Sequence, residues 1–144
     1  MKKSVILSFV FLVFAAAFCG CQTPVEGPSD KQLINTLMTE WKAAFEAKDL
    51  DRLMMLFSEN YISSNGSSKV AMRVSMEGAI ERGSLDNIEI KIQDAQLTLV
   101  GKTASFGPVE IKSDRGTLSI EYTLEKENDI WLITSSKRKE NSSE

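Results

Sequence analysis

The spacing of apolar residues changes along this chain, from a continuous run to a helical period and then to strict alternation. From Val5 to Phe18 every residue except Ser8 is apolar. Such a run is too short to cross about 30 Å of hydrocarbon as a permanent helix. Behind the cationic Met1-Lys2-Lys3 it has the form of a secretory leader. Further on, Leu33, Ile34, Leu37, Met38, Trp41, Ala44 and Phe45 recur at i, i+3, i+4 and i+7. That spacing predicts a helix over 30–48, with Ser29 or Asp30 as its cap. Asp49 or Asp51 can cap a shorter second helix holding Leu50, Leu53, Met54, Leu56 and Phe57. Tyr61-Ile62-Ser63 reads as a brief strand ended by Ser64-Asn65-Gly66. Ser67 or Ser68 then opens a third helix with apolar Val70, Val74, Met76, Ala79 and Ile80, stopping near Gly83.

Beyond Gly83 the period becomes 2. Ile88, Ile90 and Ile92 alternate with polar residues, the phase slips at Gln93-Asp94, and Ala95, Leu97 and Leu99 resume it. A one-residue slip predicts a β-bulge within one continuous strand. The next strand covers 103–112, with Gly107-Pro108 as a second irregularity, and Asp114-Arg115-Gly116 turns the chain. Leu118, Ile120, Tyr122 and Leu124 alternate, Asn128-Asp129 turns again, and a strand over 130–134 closes the sheet. Helices first and long strands afterwards predict an α+β domain, with three N-terminal helices packed on a curved antiparallel sheet.

At 144 residues the chain has room for one domain, and its 42% hydrophobic and 26% charged residues suit a globular one. The formal net charge is −3, and losing Lys2 and Lys3 with the leader brings it to −5. A mildly acidic body argues against a nucleic-acid partner, because phosphate contacts need clustered Lys and Arg. The basic run Lys137-Arg138-Lys139 falls in what reads as a solvated polar tail, 137–144. The chain has no histidine, which removes an imidazole base and any His-ligated metal. Both cysteines, Cys19 and Cys21, stand at the end of the leader, so the body has neither disulfide nor thiol nucleophile. No cofactor or metal is expected, and any catalysis would rest on carboxylates, Tyr, Lys or Ser.

The junction Phe18-Cys19-Gly20-Cys21 resembles the bacterial lipobox, in which a small residue precedes a cysteine that is diacylated and becomes the mature N-terminus. That resemblance implies a signal peptide over 1–20, a lipid on Cys21, a tether over 21–29 and a domain over 30–136. It also implies a place in the bacterial cell envelope, held on a membrane by the lipid. The Pro- and Gly-rich stretch after Cys21 suits a tether. Ordinary secretion, with cleavage after Ala15-Ala16-Ala17, is the other reading.

The body has its own resemblance. Ala43-Ala44-Phe45-Glu46-Ala47-Lys48-Asp49-Leu50, continuing to Tyr61, is similar to the helix, Gly-Asp turn and second helix of the nuclear transport factor 2-like superfamily. Lys48 stands where that family usually has Gly. Asn128-Asp129-Ile130-Trp131-Leu132-Ile133 resembles the family's closing turn and strand. The resemblance covers roughly 31–135 and implies a cystatin-like cone, a fold that hosts enzymes, binders and adaptors alike. In the family's ketosteroid isomerases a carboxylate after the first strand abstracts a proton while a Tyr and a protonated Asp polarise the carbonyl. Ungapped alignment from Asp49 puts Asn65 near the base position, with Ser63 and Ser64 beside it. An amide accepts no proton at neutral pH, so that mechanism is not carried over.

Trp41, Phe45, Tyr61, Phe106, Tyr122 and Trp131 are the candidate wall of an open cone and hence the candidate ligand-binding residues. The bland alternative for the same stripe is a packed core. Glu110 and Glu121 lie near these aromatics by strand register, and one of them turned inward would be a candidate general base. Asp94 belongs to the expected bulge. Gly78 costs a helix about 1 kcal/mol relative to Ala and suggests close packing against the sheet. The six methionines, including Met54, Met55, Met72 and Met76, fit irregular core space. Three functions follow. They are a non-catalytic envelope lipoprotein binding a small apolar ligand or a protein, an enzyme using Glu110 or Glu121 with Tyr61 or Tyr122, and a homodimer paired through the outer face of the sheet.

Overall fold

A computed structural model of the chain describes residues 27–139. The expected leader, Cys19, the lipidation candidate Cys21, most of the tether and residues 140–144 lie outside the described residues.

Helix α1 (Asp30–Glu46) begins at a reciprocal cap. Ser29 Oγ accepts the Gln32 N–H at 3.3 Å, and Gln32 Oε1 accepts the Ser29 N–H at 2.8 Å. Two otherwise orphaned donors are thereby satisfied. The predicted stripe is the buried one: Ile34, Leu37, Met38, Trp41 and Ala44 enter the core. The chain then turns through Lys48, whose φ of 56° is left-handed. Asp49 caps α2 (Leu50–Met54) by accepting the Arg52 N–H at 3.1 Å.

Strand β1 (Phe57–Ser63) follows, then α3 (Lys69–Glu81) capped by Ser68, then β2 (Glu89–Lys91), β3 (Gln96–Val100), β4 (Thr103–Ser113), β5 (Gly116–Glu127) and β6 (Ile130–Lys139). The order across the sheet is β1-β6-β5-β4-β2, and β3 also pairs with β4. Asn128 and Asp129 both have positive φ, as a two-residue hairpin turn matching the strands' twist requires.

The sheet differs from the expectation in four places. It is mixed, because β1 runs parallel to β6 while every other pairing is antiparallel. Phe57 belongs to β1 and is buried there, so the strand starts well before Tyr61. The predicted bulged strand is two strands, β2 and β3, which pair with separate stretches of β4. Pro108 lies between those stretches and has no N–H to donate, so the ladder breaks there and residues 92–95 form a turn. Finally, β6 runs past Thr134 to Lys139, carrying the basic run into the sheet and three residues into the predicted tail. The irregularity at Gly107-Pro108 is present as a register shift between β4 and β5, and a second shift lies between Thr123 and Leu124 where β5 meets β6. Bulges of this kind bend a sheet.

One hydrophobic core fills the space between α1 and the inner face of β4, β5 and β6. Trp41 is its centre, with ring centroids 5.4 Å from Phe45 and 5.1 Å from Tyr122. Helix α3 is different in kind. None of its side chains is fully buried, and Val70 and Val74, expected on its inner face, are 72% and 63% exposed. Its inward residues are Met72 and Met76.

Candidate functional site

Because α3 stands off the sheet, a cleft of about 460 Å³ opens between them. Its helix wall is Ala71, Met72, Ser75 and Met76, and its sheet wall is Leu118 and Ile120 of β5 with Ser136 and Arg138 of β6. Tyr61, Ser63, Ser64, Asn65 and Ser67 complete it at the β1–α3 connection. The register explains the sheet wall. Ile120 faces Arg138 and Tyr122 faces Ser136 across the β5–β6 ladder. The register shift leaves Thr134 as an extra residue on β6, which moves the inward phase from Trp131 and Ile133 to Ser136 and Arg138.

The β1–α3 connection is held by hydroxyl and amide groups. Asn65 Oδ1 accepts the Ser67 N–H at 3.2 Å and the Ser63 hydroxyl, which also accepts the Ser67 N–H at 3.0 Å. The Ser64 N–H donates to the Ser136 carbonyl at 2.8 Å, tying the loop to β6. Asn65 is therefore an exposed turn residue at the cleft's rim, with Gly66 taking the positive φ beside it. Polar ties also hold α3. Lys69 Nζ donates to the Phe57 carbonyl at 2.9 Å and to Glu59 at 2.6 Å, and Arg73 reaches Asp51 at 2.7 Å.

Tyr61 is the most deeply set polar group of the cleft. Its hydroxyl lies 2.6 Å from Ser136 Oγ. Burial pushes its phenol above the usual tyrosine range, and the Ser136 hydrogen bond offsets part of that rise. It stays protonated at neutral pH. Arg138 is the only formally charged side chain among the described residues lining the cleft. Its neighbour Lys139 pairs with Glu121 at 2.8 Å, whereas Arg138 is in no ion pair with a described residue. No group of three or more potential metal ligands occurs among the described residues. Two other depressions lie around the Lys48–Asp86 and Lys69–Glu59 ion pairs.

No family model and no curated protein matches the chain. Solved structures do. A cystatin-like protein of unknown function from Nostoc punctiforme is 13% identical, with a TM-score of 0.61 over 79% of this chain and 92% of that one. A nuclear transport factor 2-like protein of unknown function from Shewanella oneidensis is 20% identical, with a TM-score of 0.61 over 78% of this chain and all of that one. A third, from Novosphingobium aromaticivorans, has 17% identity and a TM-score of 0.62 over 80% of this chain and 84% of that one. The fold is the nuclear transport factor 2-like cone.

Within this cone the six aromatic candidates separate. Trp41, Phe106, Tyr122 and Trp131 are buried in the packed core, Phe45 is half-buried against it, and Tyr61 alone lines the cleft. Trp131 also has a structural bond. Its indole N–H donates to Asp30 Oδ1 at 2.9 Å, and Lys126 Nζ reaches the same oxygen at 2.8 Å, fastening the start of α1 to the β5–β6 hairpin. Glu110 is exposed and Glu121 is held by Lys139, and neither lines the cleft. The sequence reading missed Ser136, Arg138, Leu118, Ile120, Met72 and Met76 as cleft residues. A signal for two of them existed: a closing hairpin strand should match its long partner, and ending it at Thr134 left the first half of β5 unpaired.

Proposed function

We propose that this chain is a lipid-anchored envelope protein whose cone domain binds a small ligand in the cleft beneath α3, without catalysing a reaction on it. The observation that carries the binding reading is the composition of the cleft wall. It combines an apolar surface with hydroxyls and one guanidinium, and none of its described residues is a carboxylate or thiol. Proton transfer near neutral pH needs a group that titrates there. Tyr61, whose phenol burial pushes upward, does not. The enzyme alternative loses its acids, since Glu110 and Glu121 lie elsewhere. The dimer alternative called for an apolar outer face from 117 to 132, whereas Thr117, Glu121, Thr123 and Glu125 alternate with the inward residues of β5. The anchor rests on Gly20-Cys21 after a short apolar run.

Filling the cleft tests the binding. Ser75 is exposed on α3, so Ser75→Trp occludes the space without disturbing the core. The neutral dye N-phenyl-1-naphthylamine should bind the full chain at one saturable site, and Ser75→Trp should abolish that fluorescence with the circular dichroism unchanged. Equal dye binding by both proteins would place the site elsewhere.

A further inference from the structure

We infer that the ligand of this cleft is a monocarboxylate with a short apolar body, its carboxylate held by Arg138 and its body laid between Met72 and Met76 of α3 and Leu118 and Ile120 of β5. This rests on the binding reading above and specifies the chemistry of the same site. The cleft has two kinds of wall group. Leu118, Ile120, Met72 and Met76 are half-buried apolar groups packed at the edge of the core. Arg138 projects from the end of the sheet beside Ile120, at the exposed side of the cleft. A ligand in this space meets the hydrocarbon of these four side chains with a guanidinium beside Ile120.

Charge sets the sign and number. With a single guanidinium and no carboxylate among its described lining residues, the cleft favours an anion and offers a cation no counter-charge. Because Arg138 is the one charged group among the described lining residues, a dianion such as a phosphate monoester would bring a second charge with no partner in the cleft. The planar guanidinium fork matches the two oxygens of a carboxylate, and the Ser and Tyr hydroxyls nearby offer further donors. Size agrees: about 460 Å³ corresponds to roughly fifteen water-sized volumes, enough for a body of six to ten carbons.

The test uses the full-length chain labelled with 13C at the methionine methyls and titrated in parallel with hexanoate, hexanamide and hexylammonium. Met72 and Met76 report on the cleft wall, and the buried Met38 is an internal control. Hexanoate should shift Met72 and Met76 and bind about five- to tenfold more tightly than hexanamide, the range expected for a partly solvated charge-assisted contact. Hexylammonium should leave both signals in place. Arg138→Gln should lower hexanoate affinity to that of hexanamide while leaving hexanamide affinity unchanged. Equal affinities for hexanoate and hexanamide, with Met72 and Met76 shifted by both, would overturn the carboxylate assignment and leave the cleft as a binding site. No shift of either methionine with any of the three would overturn the cleft as a binding site, and the carboxylate assignment with it.

Discussion

Lys48 holds a left-handed backbone position at φ 56° in the turn between α1 and α2. An L-residue pays roughly 1–2 kcal/mol there, which is the physical reason Gly is the natural occupant of such a turn. Lys48→Gly should therefore raise stability by up to about 1 kcal/mol in urea unfolding, after the unfolded-state cost of Gly and the loss of the exposed pair with Asp86. A clear loss of stability would show that the turn is not strained. Trp41, 1% exposed at the centre of the core, makes the opposite case. Trp41→Ala should cost roughly 3–5 kcal/mol, because the ring's contacts with Phe45 and Tyr122 leave a void that packing cannot close. Asp30 gives a pH signature. The Lys126 hydrogen bond first, and then that of Trp131, hold its carboxyl below the ordinary 3.8. A depressed folded-state pKa contributes stability above the unfolded value and loses it as pH falls through the folded one. Asp30→Asn should thus be less stable than the parent at pH 7, with the difference shrinking below about pH 4. A difference that stays constant down to pH 2 would contradict the assignment. Trp41 was legible from its place in the stripe. The pairing of Asp30 with Trp131 was not, because it joins positions 101 residues apart through a hairpin whose register no local pattern reveals.

At the scale of elements, α1 and α3 differ in what holds them. Helix α1 is fixed by burial of one whole face, and its apolar period was readable for that reason. Helix α3 has no fully buried side chain and is held by Lys69, Arg73 and the Ser68 cap, so its apolar residues scatter around the helix and the inner face could not be chosen from spacing alone. Hydrogen exchange should show the consequence: the amides of α3 should exchange by local opening well before those of α1. Equal protection of the two helices would mean that α3 is packed more tightly than its burial indicates. Gly78 belongs to the same picture. A methyl group there would first meet the end of the flexible Arg82 side chain, 2.9 Å away, and no sheet atom lies nearer than its guanidinium, so the expected tight approach to the sheet is absent. Gly78→Ala should stabilise the domain by up to about 1 kcal/mol. The close approach is at Gly107 instead, where a Cβ would lie 3.0 Å from the backbone of Ile120 and Glu121. Among the strands, β5 was plain from its alternation, while the break between β2 and β3 depended on what Pro108 does to the partner strand, information that lies outside their own sequence.

For the whole molecule, the order of helical and alternating segments was enough to predict three helices on a curved sheet, because each period reports one buried face, while the cone was implied by the family resemblance. The cleft was not readable in the same way. It is a gap left where α3 fails to close on the sheet, and its walls come from three stretches distant in sequence, 61–76, 118–120 and 136–138. The aromatic stripe that suggested a ligand wall is mostly the core that supports it. The anchor is tested at the other end of the chain. In a bacterial host the protein should incorporate labelled palmitate and partition into detergent, and Cys21→Ser should lose both properties; if the variant keeps them, Cys21 is not the lipidated residue. The measurement that bears most directly on function is the small-molecule content of the protein as purified. Native mass spectrometry of the purified full chain should show a bound species of small mass that is missing from Ser75→Trp prepared in the same way. A species retained by Ser75→Trp, or none found in the parent under conditions that preserve its fold, would contradict a ligand-binding cleft beneath α3.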